Sequence, residues 1–203
     1  MTGTPSSISA AIGSPPGSAR FVRHPGSVLA LLGAVSGLMS TFVPGFAIEG
    51  MPSGLGLFMV LTGVWFGLVV AFGIWQFATR SVVAAAAVAA VTWCAWEIAV
   101  NLAMQLSDYS LKVTALADTP RYYLSGFTAG AVGALLTWAG AAGFGAPLRG
   151  GAAAASVGAA GALLGLLLPW SLSSDHPAIL FVPWQTGVAA TLGFLLGKRP
   201  SQG

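Results

Sequence analysis

The chain has 203 residues, of which 56% are hydrophobic and 6% charged, with a mean hydropathy of +0.83. A soluble domain carries roughly 25% charged residues, so a soluble globular fold is excluded. The net charge of +3 comes from isolated bases in runs no longer than two, which excludes a nucleic-acid-binding patch. The single Cys94 excludes an internal disulfide or a cysteine-based metal cluster. The composition is that of an all-α, polytopic protein of the lipid bilayer.

Residues 1–19 are rich in Ser, Gly, Pro and Thr and carry no charged side chain. They lack the apolar content to fold alone, so 1–24 is expected to be a disordered tail, ending in Arg20, Arg23 and His24. A membrane domain is expected over 25–199, with a short tail at 200–203. Six apolar segments follow, each close to the roughly 20 residues a spanning helix needs. They are 27–47, 54–77, 81–106, 122–144, 152–170 and 178–197. Backbone polar groups in lipid must pair internally, so these are helices. They are too long and too evenly apolar for barrel strands of about ten alternating residues.

The first segment has the basic flank and small residues, Gly45 and Ala47, of a secretory signal. Its apolar run of about 20 residues exceeds the usual 7–15 of a signal core. Pro44 and Gly45 instead suit the end of a span.

Charge sets the expected orientation. The start has Arg20 and Arg23, the first connection Glu49 and no base, and the second Arg80. The third mixes Asp108, Lys112, Asp118 and Arg121; the fourth has Arg149, the fifth Asp175, and the end Lys198 and Arg199. Bases dominate every second side. A six-helix bundle with both termini cytoplasmic, in a plasma (inner) membrane, is the expectation. Tyr109, Tyr122, Tyr123 and Trp170 then fall near the interfaces, while Trp65, Trp93, Trp96 and Trp184 lie deeper as packing bulk or as the wall of a site.

Gly-x-x-x-Gly pairs occur at Gly33/Gly37, Gly63/Gly67, Gly126/Gly130, Gly161/Gly165 and Gly193/Gly197. Lipid gives no hydrophobic drive for association, so such pairs let helices approach for dispersion contact. They are expected to tighten the bundle or to offer a face to a second copy or another membrane protein. The third helix lacks the pattern, is Ala-rich over 84–90, and is expected to be central. Residues 33–38 resemble 161–166, and 62–64 resemble 186–188, as parallel duplicated hairpins would.

Glu97 is the one charged residue inside an apolar segment. A carboxylate at membrane depth costs about 2.5–3.5 kcal/mol on insertion scales. At spacing four, Trp93, Glu97, Asn101 and Gln105 share one helix face, and Asp108 follows at the end. Such a stripe belongs against the bundle or a hydrated cavity. In the sixth segment Pro183, Trp184 and Gln185 fall at similar depth, and Ser40, Thr41 and Pro44 lie in the same half of the first. The candidate polar intramembrane site is therefore Glu97, Asn101, Gln105, Gln185, Trp93 and Trp184. One reading has it bind a proton, a cation or an amine-bearing solute, as a small transporter would. In the other, a protonated Glu97 is hydrogen-bonded to Gln185 or a backbone carbonyl and ties helices together, in an accessory or scaffold subunit.

No catalytic constellation stands out. His24 and His176 lie outside the spans, so a helix-borne metal or haem pair is not expected, and no phosphate-binding Gly-rich signature occurs. Ser125-Gly126 lacks the companion Gly and intramembrane His of a rhomboid-type protease. Asp175-His176 reads as a solvated turn before Pro177. No cofactor is called for.

Overall fold

The computed structural model describes residues 24–49, 56–114 and 116–198. The expected N-terminal tail, apart from His24, and the C-terminal residues 199–203 lie outside that range. Seven helices make six spans. α1 is Pro25–Phe42, α2 Val60–Thr79, α3 Val82–Ser110, α4 Asp118–Ala142, and α7 Ala178–Leu196. The fifth span, Gly151–Ser174, is broken into α5 (Gly151–Gly165) and α6 (Leu168–Ser174). All six are long and apolar enough to cross a membrane, as a multi-pass membrane protein requires.

α3 runs to Ser110 rather than 106, α4 starts at Asp118 rather than 122, and the fifth span ends at Ser174 rather than 170. The two largest differences have local reasons. α1 stops at Phe42 rather than 47, because Pro44 disfavours a helical Val43 and Gly45 sits at φ +89°. α2 starts at Val60 rather than 54. Before it, Gly56–Leu57 (β2) pairs antiparallel with Ile48–Glu49 (β1), and Met59 takes a left-handed conformation at φ 51°. The hairpin base is fastened by Leu61 N–H to Pro44 O, 3.1 Å, and by Trp65 Nε1 to Val43 O, 3.1 Å.

At the other end Arg80, at φ 54°, turns the chain from α2 into α3. Its guanidinium lies 5.1 Å from the Trp75 ring centroid and donates to Gln76 Oε1 at 2.7 Å. Ser81 caps α3, its Oγ accepting from Ala84 N at 3.3 Å. The fifth span breaks where Pro169 has no N–H for the ladder, and Leu166 and Leu167 tighten onto Leu163 O and Leu164 O.

The helices close a ring: α1 on α2, α2 on α3, α3 on α4, α4 on α5, α5 on α7, and α7 back on α1. Half of α2 and half of α7 are buried, against a third of α3. The most enclosed helices are thus α2 and α7 and not, as expected, α3. The Ala-rich α3 turns Val82, Val83, Val91 and Ile98 outward, whereas the glycines around α7 let neighbours close on it. A methyl group on Gly33 would run into the Gln185 carbonyl, on Gly37 into Phe181 and Val182, and on Gly193 into Pro25 and Gly26. Gly63 and Gly67 lie against Trp93, Trp96 and Ala89 of α3. Gly126 and Gly130 meet Gly165 and Gly161 so closely that neither side has room for a Cβ. These glycines therefore meet helices of the same chain. The two similar segments behave alike in one respect: Gly33/Gly37 and Gly161/Gly165 each face the preceding helix of the ring.

Leu29, Phe66, Ile74, Val88, Ala134, Val157, Val188 and Leu192 form the core. The bundle has a basic end, at Arg80, Arg149 and Lys198, and a hairpin end.

Candidate functional site

The hairpin end takes its shape from a mismatch in helix length. α2 and α3 are joined at Arg80, yet α2 has 20 residues and α3 has 29. At 1.5 Å per residue, α3 rises about 13 Å beyond the start of α2. Residues 43–49 and 56–59 lie in that step, and Phe58 reaches the level of Glu97 on α3. Irregular backbone at that depth is tolerated only where its polar groups are satisfied by protein.

The polar face of α3 provides that satisfaction. Asn101 Oδ1 accepts from Gly56 N at 3.0 Å, and its Nδ2 donates to Gly56 O at 2.8 Å. One turn lower, Glu97 Oε2 accepts from Phe58 N at 2.9 Å and Trp96 Nε1 donates to Phe58 O at 3.2 Å. Gly56 and Phe58 are two apart, so their polar groups face the same edge of β2. Helix side chains thus stand where a third strand would pair. Asn101 Nδ2 also reaches Glu97 O at 2.8 Å. Glu97 is 7% exposed, and its Oε1 has no hydrogen-bond partner among the described residues.

The six candidate residues divide into separate settings. Glu97 and Asn101 are brought together on the hairpin. Trp93 lies over Gly63, its buried Nε1 without a partner among the described residues. Gln105 opens the π-helical turn Gln105–Ser110 that ends α3. Gln185 is fully buried elsewhere, between α7 and α1: it accepts from Ser36 Oγ at 2.5 Å and donates to Ser40 Oγ at 2.9 Å. Ser40 Oγ in turn donates to Ser36 O at 2.8 Å, closing a small circuit. Trp184 donates to Gly161 O at 3.1 Å, bracing α7 on α5.

Beside the hairpin lies a cavity of about 630 Å³ between α3, α4, α6 and α7. Its walls are apolar and aromatic, chiefly Phe58, Trp96, Leu168, Leu180, Phe181 and Trp184. Trp96 meets Phe181 edge-on with centroids 5.5 Å apart, and Trp184 at 6.5 Å. Gly126, Gly130 and Gly165, where α4 and α5 touch, line it too. Ser107, Asp108, Tyr122, Ser171 and Asp175 supply its polar groups. Of the six candidates, Trp184 alone lines it.

The sequence pattern allowed for a hydrated cavity beside Glu97 and for deep Trp as the wall of a site, and Trp96 and Trp184 are in the wall; the rest of the lining was not legible, because it is assembled from four helices whose relative rotation is not encoded in any one segment. Trp96, beside Glu97, was the nearest signal. Among the described residues, no group of three His, Cys, Asp or Glu could hold a metal ion. No protein-family model matches the chain, and no curated protein and no solved structure matches it significantly.

Proposed function

We propose that this is a multi-pass membrane protein that binds a small, largely apolar molecule in the cavity at the hairpin end, as a carrier or receptor of a membrane-soluble compound. The single observation that carries this reading is the cavity itself. Its 630 Å³ lies within the 300–1,000 Å³ of ligand sites, and an apolar wall with a few polar groups at one side is their usual make-up. Glu97 and Asn101 support the site at one remove, because they hold Phe58, which is in its wall, and Gly56 two residues before it.

Sidedness follows from charge. Arg80, Arg149 and Lys198 share one end, which the positive-inside rule assigns to the cytoplasm of a plasma (inner) membrane. Both termini are then cytoplasmic and the cavity faces outward.

The test is photolabelling of purified protein in nanodiscs with a diazirine-bearing twelve-carbon alcohol. Label on Trp184, Phe181 or Leu180, lost when Ala103→Phe fills the cavity, supports the reading. Label spread evenly over the lipid-facing residues Val82, Val83 and Phe194, and unchanged by Ala103→Phe, sinks it.

A further inference from the structure

The cavity's charges are one-signed. Its lining holds two carboxylates, Asp108 and Asp175, and no Lys, Arg or His. The other acids at this end are differently placed. Asp118 is neutralised by Arg121 at 2.6 Å, the one ion pair among the described residues, and Glu97 is engaged with the Phe58 amide. Arg121 is further occupied by the Tyr122 ring, 5.5 Å from its centroid. Among the described residues Asp108 accepts only from the neighbouring Ser107 hydroxyl, at 3.2 Å. Asp175 has no cationic partner among the described residues, and both carboxylates are exposed.

The positions of these two acids are built. Asp175 is held at φ 56° as the cap of α6, its N–H on Ser171 O. His176 N donates to Ser171 O at 3.2 Å, and Ser171 Oγ to His176 O at 3.3 Å. Asp108 sits in the π-helical turn of α3. Aromatic side chains share the lining with these acids: Tyr122, Phe58, Trp96, Phe181 and Trp184. Carboxylates next to aromatic faces are the two features that attract an organic cation.

Resting on the cavity reading above, we propose that its ligand is a cationic amphiphile: an apolar body lies along the Trp96–Phe181–Trp184 wall, and a protonated amine or quaternary ammonium group is held between Asp108 and Asp175. Two carboxylates and no base in the lining also disfavour an anionic head, so the site discriminates by sign as well as by attraction.

The experiment measures quenching of tryptophan fluorescence by three chains of equal length: 11-bromoundecylamine, 11-bromoundecanol and 11-bromoundecyl sulfate. Protein is held in nanodiscs, and the signal of Ala103→Phe is subtracted to remove bilayer partitioning. The expected result is amine tighter than alcohol, and alcohol tighter than sulfate, with amine over alcohol by roughly five- to tenfold at low salt, shrinking as salt rises. In Asp108→Asn/Asp175→Asn the ratio falls to about one. Asn keeps an acceptor for Ser107 and tolerates the left-handed backbone at 175, so the double variant retains its fold. Displacement of the amine by phosphatidylethanolamine and not by phosphatidylglycerol supports a lipid headgroup as the source. Displacement by dodecylamine alone supports a free amphiphile. Equal quenching by all three chains above the Ala103→Phe baseline overturns the charge assignment while leaving the cavity reading standing. No difference between wild type and Ala103→Phe for any chain overturns both.

Discussion

The side-chain amide of Asn101 pairs with both the N–H and the C=O of Gly56, at 3.0 and 2.8 Å. It stands in for one residue of a neighbouring strand. Asn101→Leu leaves both backbone groups unpaired at membrane depth. A loss of roughly 1–3 kcal/mol is expected, read as a lower midpoint in thermal or denaturant unfolding of the purified protein. Hydrogen exchange at the Gly56 and Phe58 amides should quicken. Unchanged exchange would show that the pairing does not hold the hairpin.

Glu97 offers a finer distinction. Phe58 N needs an acceptor, and a glutamine carbonyl provides one as well as a carboxylate does. Glu97→Gln should therefore unfold close to wild type, whereas Glu97→Leu should lose roughly 1–3 kcal/mol. A Glu97→Gln protein that folds normally but no longer binds the cavity's ligand would show that the charge itself acts in binding.

How much of this was legible in the sequence can be said residue by residue. The apolar runs gave six spans because length and hydropathy are local properties. Glu97 and Asn101 were recognisable as facing something polar, because they fall on one face at spacing four. What they face was not: β2 reads as the start of an apolar span, and only the nine-residue difference between α2 and α3 makes room for it there. Asp175 looked like a plain turn residue. Its place on the cavity comes with α6, the short helix that starts at the break around Pro169. Gln185 read as a partner for Glu97 by depth alone, and depth carries no information about which way a helix is rotated.

The α4–α5 contact gives a third prediction. Gly126 and Gly165 lie so close that a Cβ on either would overlap the other's backbone carbonyl. Gly165→Ala must push the helices apart and is expected to cost about 1–3 kcal/mol. Gly151→Ala, where nothing lies within 4 Å, should be neutral or slightly stabilising, since Ala is favoured over Gly in a helix by about 0.5–1 kcal/mol. The pair of unfolding midpoints checks both.

Sidedness is checked by labelling. With Cys94 replaced by Ala, a cysteine at Asp175 should react with a membrane-impermeant maleimide added outside intact cells, and one at Lys198 should react only after permeabilisation. The opposite pattern would invert the proposed topology.

The Gln185 circuit joins distant parts of the chain: Gln185 lies 149 positions after Ser36 and 145 after Ser40. During synthesis, α1 is made long before α7 exists. Until then its hydroxyls have only their own helix to bond, as Ser40 does with Ser36 O and Thr41 with Gly37 O. α1 thus completes its contacts only once α7 has been made. A ribosome stalled before residue 178 would hold a chain with an open seam along α1. That seam, polar at Ser36 and narrow at Gly33 and Gly37, would stay without its partner helix until α7 is made.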